Sequence, residues 1–359
     1  MVFPAGDLAC GGWPANGGLL AAKPGMLANP STMNHQTAPL PADASVVVVI
    51  AAWRAAATIR RAVTSALAQA ETAEVIVVDD ASGDEGATLA AARAADDRSG
   101  RLTVMALDRN CGPAAARNAA IRASRSPWIC VLDSDDYMQP GRLGALLTLA
   151  DQGYDLIADD LLQTPAGQPV SAGKPLWFRE EARPFDVAFD VFVDSNVIKA
   201  SRPRREMGFL KPLMRRAFLE AHGLAYDNGM RLGEDFDLYA RALSAGARMR
   251  LIPWAGYVSV MRGDSLSLRH GREDLAAIEA ADNRLLASGR LSPGDVAAVK
   301  RHRFTNRSRL TWIDFMAALK AGRLHAALGV VLRDVRQAPY LLRGVARMVM
   351  GRFGGARKV

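Results

Sequence analysis

The sequence predicts an α/β protein: a mostly parallel central sheet flanked by helices, with a C-terminal helical extension. Apolar runs of strand length recur along the first half of the chain, and amphipathic stretches of helix length alternate with them. Carboxylates gather where several of those runs stop. Strands alternating with helices imply βαβ units, right-handed crossovers and hence a parallel sheet.

Residues 1–44 are rich in Gly, Ala, Pro and Asn without a sustained period, and are expected to be disordered. Met33 lies just before the first strand and is an alternative start to Met1. The run at 45–51, Ser-Val-Val-Val-Val-Ile-Ala, reads as a central parallel strand because it lacks a polar face. At 58–70, Ile59, Ala62, Val63, Ala66 and Leu67 recur at helical spacing. A second strand at 74–78 ends on Asp79 and Asp80, followed by a helix at 87–95 and a third strand at 102–107. Asn110-Cys111-Gly112-Pro113 breaks the chain before a helix at 114–124. The fourth strand, 128–132, runs into Asp133-Ser134-Asp135-Asp136.

Beyond this the pattern is mixed. A strand at 155–158 is followed by Asp159 and Asp160, residues 176–183 are weakly structured, and 185–192 is amphipathic. The polar stretch 195–208 reads as a mobile loop, and Lys211–Arg216 leads into a helix at 217–222. Gly233-Glu234-Asp235 opens a helix whose Leu238 and Ala242 face inward. Short strands at 248–253 and 257–261 precede a loop from Arg262 to Ser267, and the chain after Glu273 is helical.

Composition narrows the function classes. The chain has 359 residues, half of them hydrophobic, enough for one large or two modest cores. It has no apolar run long enough for a transmembrane helix and no signal-peptide pattern at Met1. Cys10, Cys111 and Cys130 are an odd number without metal-like spacing. They suit a reducing, cytoplasmic compartment better than a disulfide framework. The net charge is +8, but residues 300–359 alone hold 14 Lys/Arg against two acids, a net +12, which leaves −4 for the rest. A nucleic-acid binder is therefore disfavoured, since its cations would share a face with aromatic residues across the body. The basic tail is expected to meet an anionic membrane surface, its alternative being an ordinary helical hairpin with Arg toward water.

The chemistry lies in the acids. Ligands in open α/β sheets bind beyond the carboxyl ends of the strands, where this chain places Asp79/Asp80 and Asp133/Asp135/Asp136. Three acids in one turn repel one another, and a cation offsets that repulsion. Hard oxygen ligands suit Mg²⁺ or Mn²⁺, whose shells are completed by water and substrate phosphates. The bland alternative is a polar turn after a strand. Neither a Gly-x-Gly-x-x-Gly after the first strand nor a Gly-Lys-Ser/Thr loop is present, so dinucleotide and P-loop sites are disfavoured.

Five landmarks in order then carry a resemblance: Val49-Ile-Ala-Ala-Trp-Arg54, Val77-Val-Asp-Asp-Ala-Ser82, Asn110-x-Gly112-x-x-x-x-Arg117-Asn118, Leu132-Asp-Ser-Asp-Asp136 and Gly233-Glu-Asp235. From about residue 45 to 269 the chain resembles the family 2 glycosyltransferases, which have the GT-A nucleotide-diphospho-sugar transferase fold. Within that group it is similar to bacterial exopolysaccharide enzymes of the succinoglycan glucosyltransferase type. The resemblance implies three segments: an extension at 1–44, a GT-A domain at 45–270 and a basic helical region at 271–359. Residues 45–150 would be the nucleotide-sugar half and 151–270 the acceptor half.

It also implies residue roles. Ala51, Trp53, Asp79, Asp80, Arg117, Asp133, Ser134 and Glu234 would line the nucleotide-sugar site. Asp80 would meet the uracil imide, while Asp79 would either join it or brace the turn. Asp133 would contact the ribose or a metal-bound water. Arg117 would lie near the pyrophosphate or buttress Asp133. Asp135 would ligate Mg²⁺ or Mn²⁺, with Asp136 sharing that ligation or standing behind it. Asp235 matches the catalytic base. The implied reaction is inverting, metal-dependent transfer of one hexose from a UDP-sugar, UDP-glucose first, to a polysaccharide or polyprenyl-diphosphate-linked acceptor. A metal-dependent nucleotidyltransferase and a silent glycosyltransferase-like assembly partner are the alternatives. Two departures from the family pattern stand out: Ala51-Ala52-Trp53-Arg54 replaces Pro-x-Tyr-Asn, and the late Gln/Arg-x-x-Arg-Trp signature of processive synthases is missing.

Overall fold

The computed structural model describes residues 44–178, 183–197, 205–262 and 270–354, with side chains described as far as 348. The expected N-terminal extension, the centre of the 195–208 loop and the 263–267 part of the Arg262–Ser267 loop lie outside the described residues.

Among these residues the strands are β1 Val46–Ala52, β2 Thr72–Asp79, β3 Leu102–Ala106, β4 Trp128–Val131, β5 Tyr137–Met138, β6 Leu156–Pro165, β7 Lys174–Pro175, β8 Phe185–Asp186, β9 Leu213–Arg215 and β10 Met249–Met261. The helices are α1 Ile59–Leu67, α2 Ala87–Arg93, α3 Pro113–Ala123, α4 Arg142–Leu147, α5 Phe189–Ser195, α6 Arg216–Ala221, α7 Glu234–Ser244, α8 Arg272–Ala287, α9 Pro293–Lys320, α10 Leu324–Arg333 and α11 Ala338–Gly354. All the strands join one sheet in the order β3-β2-β1-β4-β9-β6-β10-β5, with β7 on β6 and β8 on β10.

The expected α/β architecture with flanking helices is present, but the sheet is mixed and not mostly parallel: β9 pairs antiparallel with β4 and β6, β5 and β8 with β10, and β7 with β6. β3, β2, β1 and β4 pair in parallel, and the helix-bearing crossovers between them supply the flanking layers. β1 is buried along nearly its whole length, as a strand without a polar face must be. α1 buries Ile59, Ala62, Val63, Ala66 and Leu67, the residues its period singles out. α3 begins at Gly112-Pro113 and packs a run of alanines against β1 and β2, where small side chains allow close approach.

Three local differences have physical reasons. β9 is a three-residue strand, too short for a visible period, yet it pairs antiparallel with both β4 and β6. β6 runs on through Asp159 and Asp160, so these acids sit inside a strand and not after it. The two strands expected at 248–253 and 257–261 are one, β10, with a register break between Ile252 and Tyr257.

The chain divides into two compact units, each built from discontinuous stretches. The first takes the described residues up to Ala188 with Phe209–Asn228 and Arg241–Arg262. The second takes the described parts of Phe189–Gly208, Gly229–Ala240 and Gly263–Val359.

Candidate active site

In the first unit, register brings the acids to one edge. Ala52 on β1 pairs with Asp79 on β2, and Val49 on β1 with Val131 on β4. The Asp80 amide continues to Ala52 O at 2.8 Å and the Leu132 amide to Val49 O at 2.9 Å. Asp79/Asp80 and Asp133 thus leave the sheet together at its carboxyl edge.

The first acid pair builds turns. Asp79 accepts from the amide of Ser82 at 3.1 Å and from its hydroxyl. Asp80 accepts from the amides of Cys111 (2.7 Å) and Gly112 (2.8 Å), while Asn110 donates to its carbonyl. Both aspartates are buried. Asp79 thereby ties the turn at Ser82. Asp80, expected to meet a base, spends a lone pair of each oxygen on the 110–112 loop. Cys130 is free and buried.

Beside them Trp53 stays 47 % exposed, and the guanidinium of Arg54 lies 4.9 Å from its ring centroid. Arg54 adopts φ +49°, a region that side chains rarely occupy. It is held there by its amide on Ser82 Oγ (2.8 Å) and its Nε on Ser82 O (3.1 Å). Ala51 and Ser134 are half-buried.

The second acid cluster is different. Asp133 pairs with Arg117 at 2.8 Å and with Lys211 at 3.1 Å. Burial raises its carboxyl, but Lys211 and Arg117 outweigh that and hold it down at about 2. Arg117 thus buttresses Asp133. Asp135 gives one oxygen to Arg262 at 2.5 Å, yet burial and the charge of Asp133 still push it up. Asp136 accepts from the Tyr257 hydroxyl (2.9 Å) and the Val260 amide (2.8 Å). Burial, then Asp133 and Asp135, push it well above the usual carboxylate range.

Among the described residues no group of three or more acids, histidines or cysteines is arranged to hold a metal. Asp136, read from the sequence as sharing the ligation of Asp135 or standing behind it, accepts from β10 with both oxygens. Carboxylates of this kind at one edge fit Mg²⁺ or Mn²⁺, which take one or two carboxylates and complete their shells with phosphate and water.

Behind the cluster lies a buried knot that sequence reasoning missed. Arg142 of α4 forks onto Asp159 of β6 (2.7–3.1 Å) and donates to Lys211 O (2.6 Å) and Cys130 Sγ (3.2 Å). Its guanidinium lies 5.1 Å from the Tyr257 ring. The Tyr257 hydroxyl accepts the Asp133 amide (3.1 Å) and donates to Asp136. Arg142 and Asp159 are fully buried, so each needs the other. Lys211, Tyr257 and Arg262 carry no spacing signal, because each acts across more than 70 residues of chain, and Arg142 meets Asp159 across 17 residues that follow no helix or strand period.

Glu234 and Asp235 belong to the second unit and are buried in the first turn of α7. Helix N-termini favour negative side chains. Gly233 has φ +81°, and a Cβ there would meet Ile278 at 3.0 Å, so glycine is required twice over. Phe236 stacks on Phe192 and on His302, with centroids 5.7 and 4.3 Å apart. His302 in turn bonds the buried Asp282 at 2.9 Å. Between Glu234-Asp235 and Asp237 the first turn is thus anchored by an aromatic side chain.

Residues 47–198 match the model of glycosyl transferase family 2. The chain is 46 % identical over 318 residues to the succinoglycan biosynthesis protein ExoU of Rhizobium meliloti (strain 1021), covering 88 % of this chain and 91 % of that one. S. aureus TarS 1-349 in complex with UDP-GlcNAc is similar in fold (TM-score 0.55, 15 % identity, 80 % of this chain and 91 % of that one). So is the mannosyltransferase PcManGT of Pyrobaculum calidifontis in complex with GDP-Man and Mn2+ (TM-score 0.52, 16 % identity, 88 % and 84 %). With the acid edge in place, the chain belongs to the family 2 glycosyltransferases and is a glycosyltransferase.

Proposed function

We propose that this enzyme transfers one hexose from UDP-glucose to a growing, lipid-linked exopolysaccharide of the succinoglycan type at the cytoplasmic membrane surface. The observation that carries the reading is the crowded edge Asp133/Asp135/Asp136, where burial and mutual repulsion leave Asp135 and Asp136 raised. A diphosphate donor with its divalent cation relieves that repulsion, and a neutral ligand would not. The part that ExoU takes in succinoglycan biosynthesis supports the choice of acceptor, and the UDP-GlcNAc bound to TarS supports a UDP-sugar.

The chemistry is a single displacement. Asp235 takes the proton of the acceptor hydroxyl as that oxygen bonds to the anomeric carbon. The bond from that carbon to the diphosphate oxygen breaks on the opposite face, so the configuration inverts and UDP departs. Asp135 would hold Mg²⁺ or Mn²⁺, whose positive charge would stabilise the departing diphosphate. Arg117 and Lys211 keep Asp133 ionised at that edge. Trp53 offers an exposed ring face on which a base can stack.

The test is calorimetry and turnover with UDP-glucose, with Mn²⁺ and then with EDTA. Asp235→Asn should bind UDP-glucose as the parent does and lose about 10²–10⁴ in transfer rate. Transfer by Asp235→Asn at the parent rate would remove the base. Pyrophosphate release instead of UDP would make the enzyme a nucleotidyltransferase.

A further inference from the structure

We propose that the outer face of α10, continued by Val335, is the surface that lies on the membrane, against lipids with anionic headgroups. This deepens the proposed function, since it rests on an acceptor presented at a bilayer. Leu324, Leu328 and Leu332 are 71, 58 and 65 % exposed, and Val335 is 64 % exposed. Spacing of i, i+4 and i+8 puts the three leucines on one stripe. Ala327 of the same helix is buried and gives α10 its inward side.

What covers the stripe follows from charge. Lys320, Arg323, Arg333 and Arg336 flank it along the chain and are exposed, as are Arg343 and Arg347 of α11. Asp334 is the lone acid between residues 320 and 348, and it is already paired with Arg336 at 2.8 Å. A second copy would bring the same cations against these and be repelled. An anionic lipid surface accepts both the leucines and the cations. No described helix is long and apolar enough to cross a membrane, so the contact is interfacial.

Both α10 and α11 pack on α9. A Cβ at Gly344 of α11 would lie 2.3 Å from the Trp312 ring of α9, so α11 meets α9 at close range. α10 packs on α9 through its Ala327 side, and the leucine stripe on its other side is left exposed.

The experiment is vesicle flotation of the full chain, with phosphatidylcholine alone and with about one-third phosphatidylglycerol. The parent should float with the anionic vesicles, and salt should weaken it. The triple variant Leu324→Gln, Leu328→Gln, Leu332→Gln should lose at least about tenfold in partitioning. It should keep UDP-glucose binding unchanged, because these side chains already face water. A triple variant that floats like the parent overturns the proposal, and so does a parent that ignores phosphatidylglycerol. A parent dimer that the variant turns into a monomer would assign the stripe to a second copy, and recovery only with an acidic protein would assign it to that partner. Failure of UDP-glucose binding in the parent would undo the donor reading and leave the lipid result standing.

Discussion

Asp79-Asp80 and Asp133-Ser134-Asp135-Asp136 look alike in sequence: each follows an apolar strand, and parallel pairing brings both to one edge. Physically they are opposites. The first pair is satisfied by short-range donors, Ser82 for Asp79 and the Cys111 and Gly112 amides for Asp80. The second holds three carboxylates against one another, with Asp133 held low and Asp135 and Asp136 raised. An acid that local N–H groups saturate is building the chain. An acid that stays raised after Arg262 has come to it still lacks positive charge, and that is where a charged ligand gains most.

The largest effect that would break this contrast comes from crossing the two sites. Asp135→Ala should cut sugar transfer by about 10³-fold while leaving thermal stability nearly unchanged, because it relieves repulsion as it removes the ligand. Asp79→Ala should lower stability by about 2 kcal/mol, since the buried Ser82 amide loses its acceptor. Its remaining folded fraction should still bind UDP-glucose. Melting curves and initial rates on both variants decide this, and an Asp79 variant that folds normally yet is dead would erase the distinction.

A smaller effect sharpens it. Asp80→Asn keeps the shape but offers one acceptor oxygen to two amides. It should cost about 1–2 kcal/mol in urea unfolding. The same change at Asp136 should be far milder, because its carboxyl is already pushed toward the neutral form and Asn matches that form. Equal losses at the two sites would mean that Asp136 is held as an ordinary structural carboxylate.

These differences set what the sequence could show. The parallel half was legible because strand and helix periods are local, and the acids were legible because they follow those strands. Asp80's attachment to the 110–112 loop spans 31 and 32 residues and has no period. The Arg142–Asp159 fork, the Tyr257 bridge and Lys211 were illegible for the same reason. β9 was missed because three residues cannot display an alternation, and Asp159 was misplaced because a buried Arg142 lets a strand continue through a charge.

The smallest effect concerns an acid at a helix start. Asp274 sits in the first turn of α8 as Asp235 does in α7, and both are buried. Asp274 is fully used: its carboxylate accepts the Gly271 amide at 2.7 Å and pairs with Arg231 at 3.0 Å. Burial raises its carboxyl, but Arg231 and the Gly271 amide outweigh that, and it lies below the usual range. A group lowered on folding adds stability above its unfolded value and loses it as pH falls through the folded one. Arg231 is itself largely in water, which limits the gain to about 1 kcal/mol. Asp274→Asn should therefore be less stable than the parent by about that amount near pH 7, with the gap closing as the pH falls below the usual carboxylate range. A gap of constant size across that range would show that Asp274 works through shape alone.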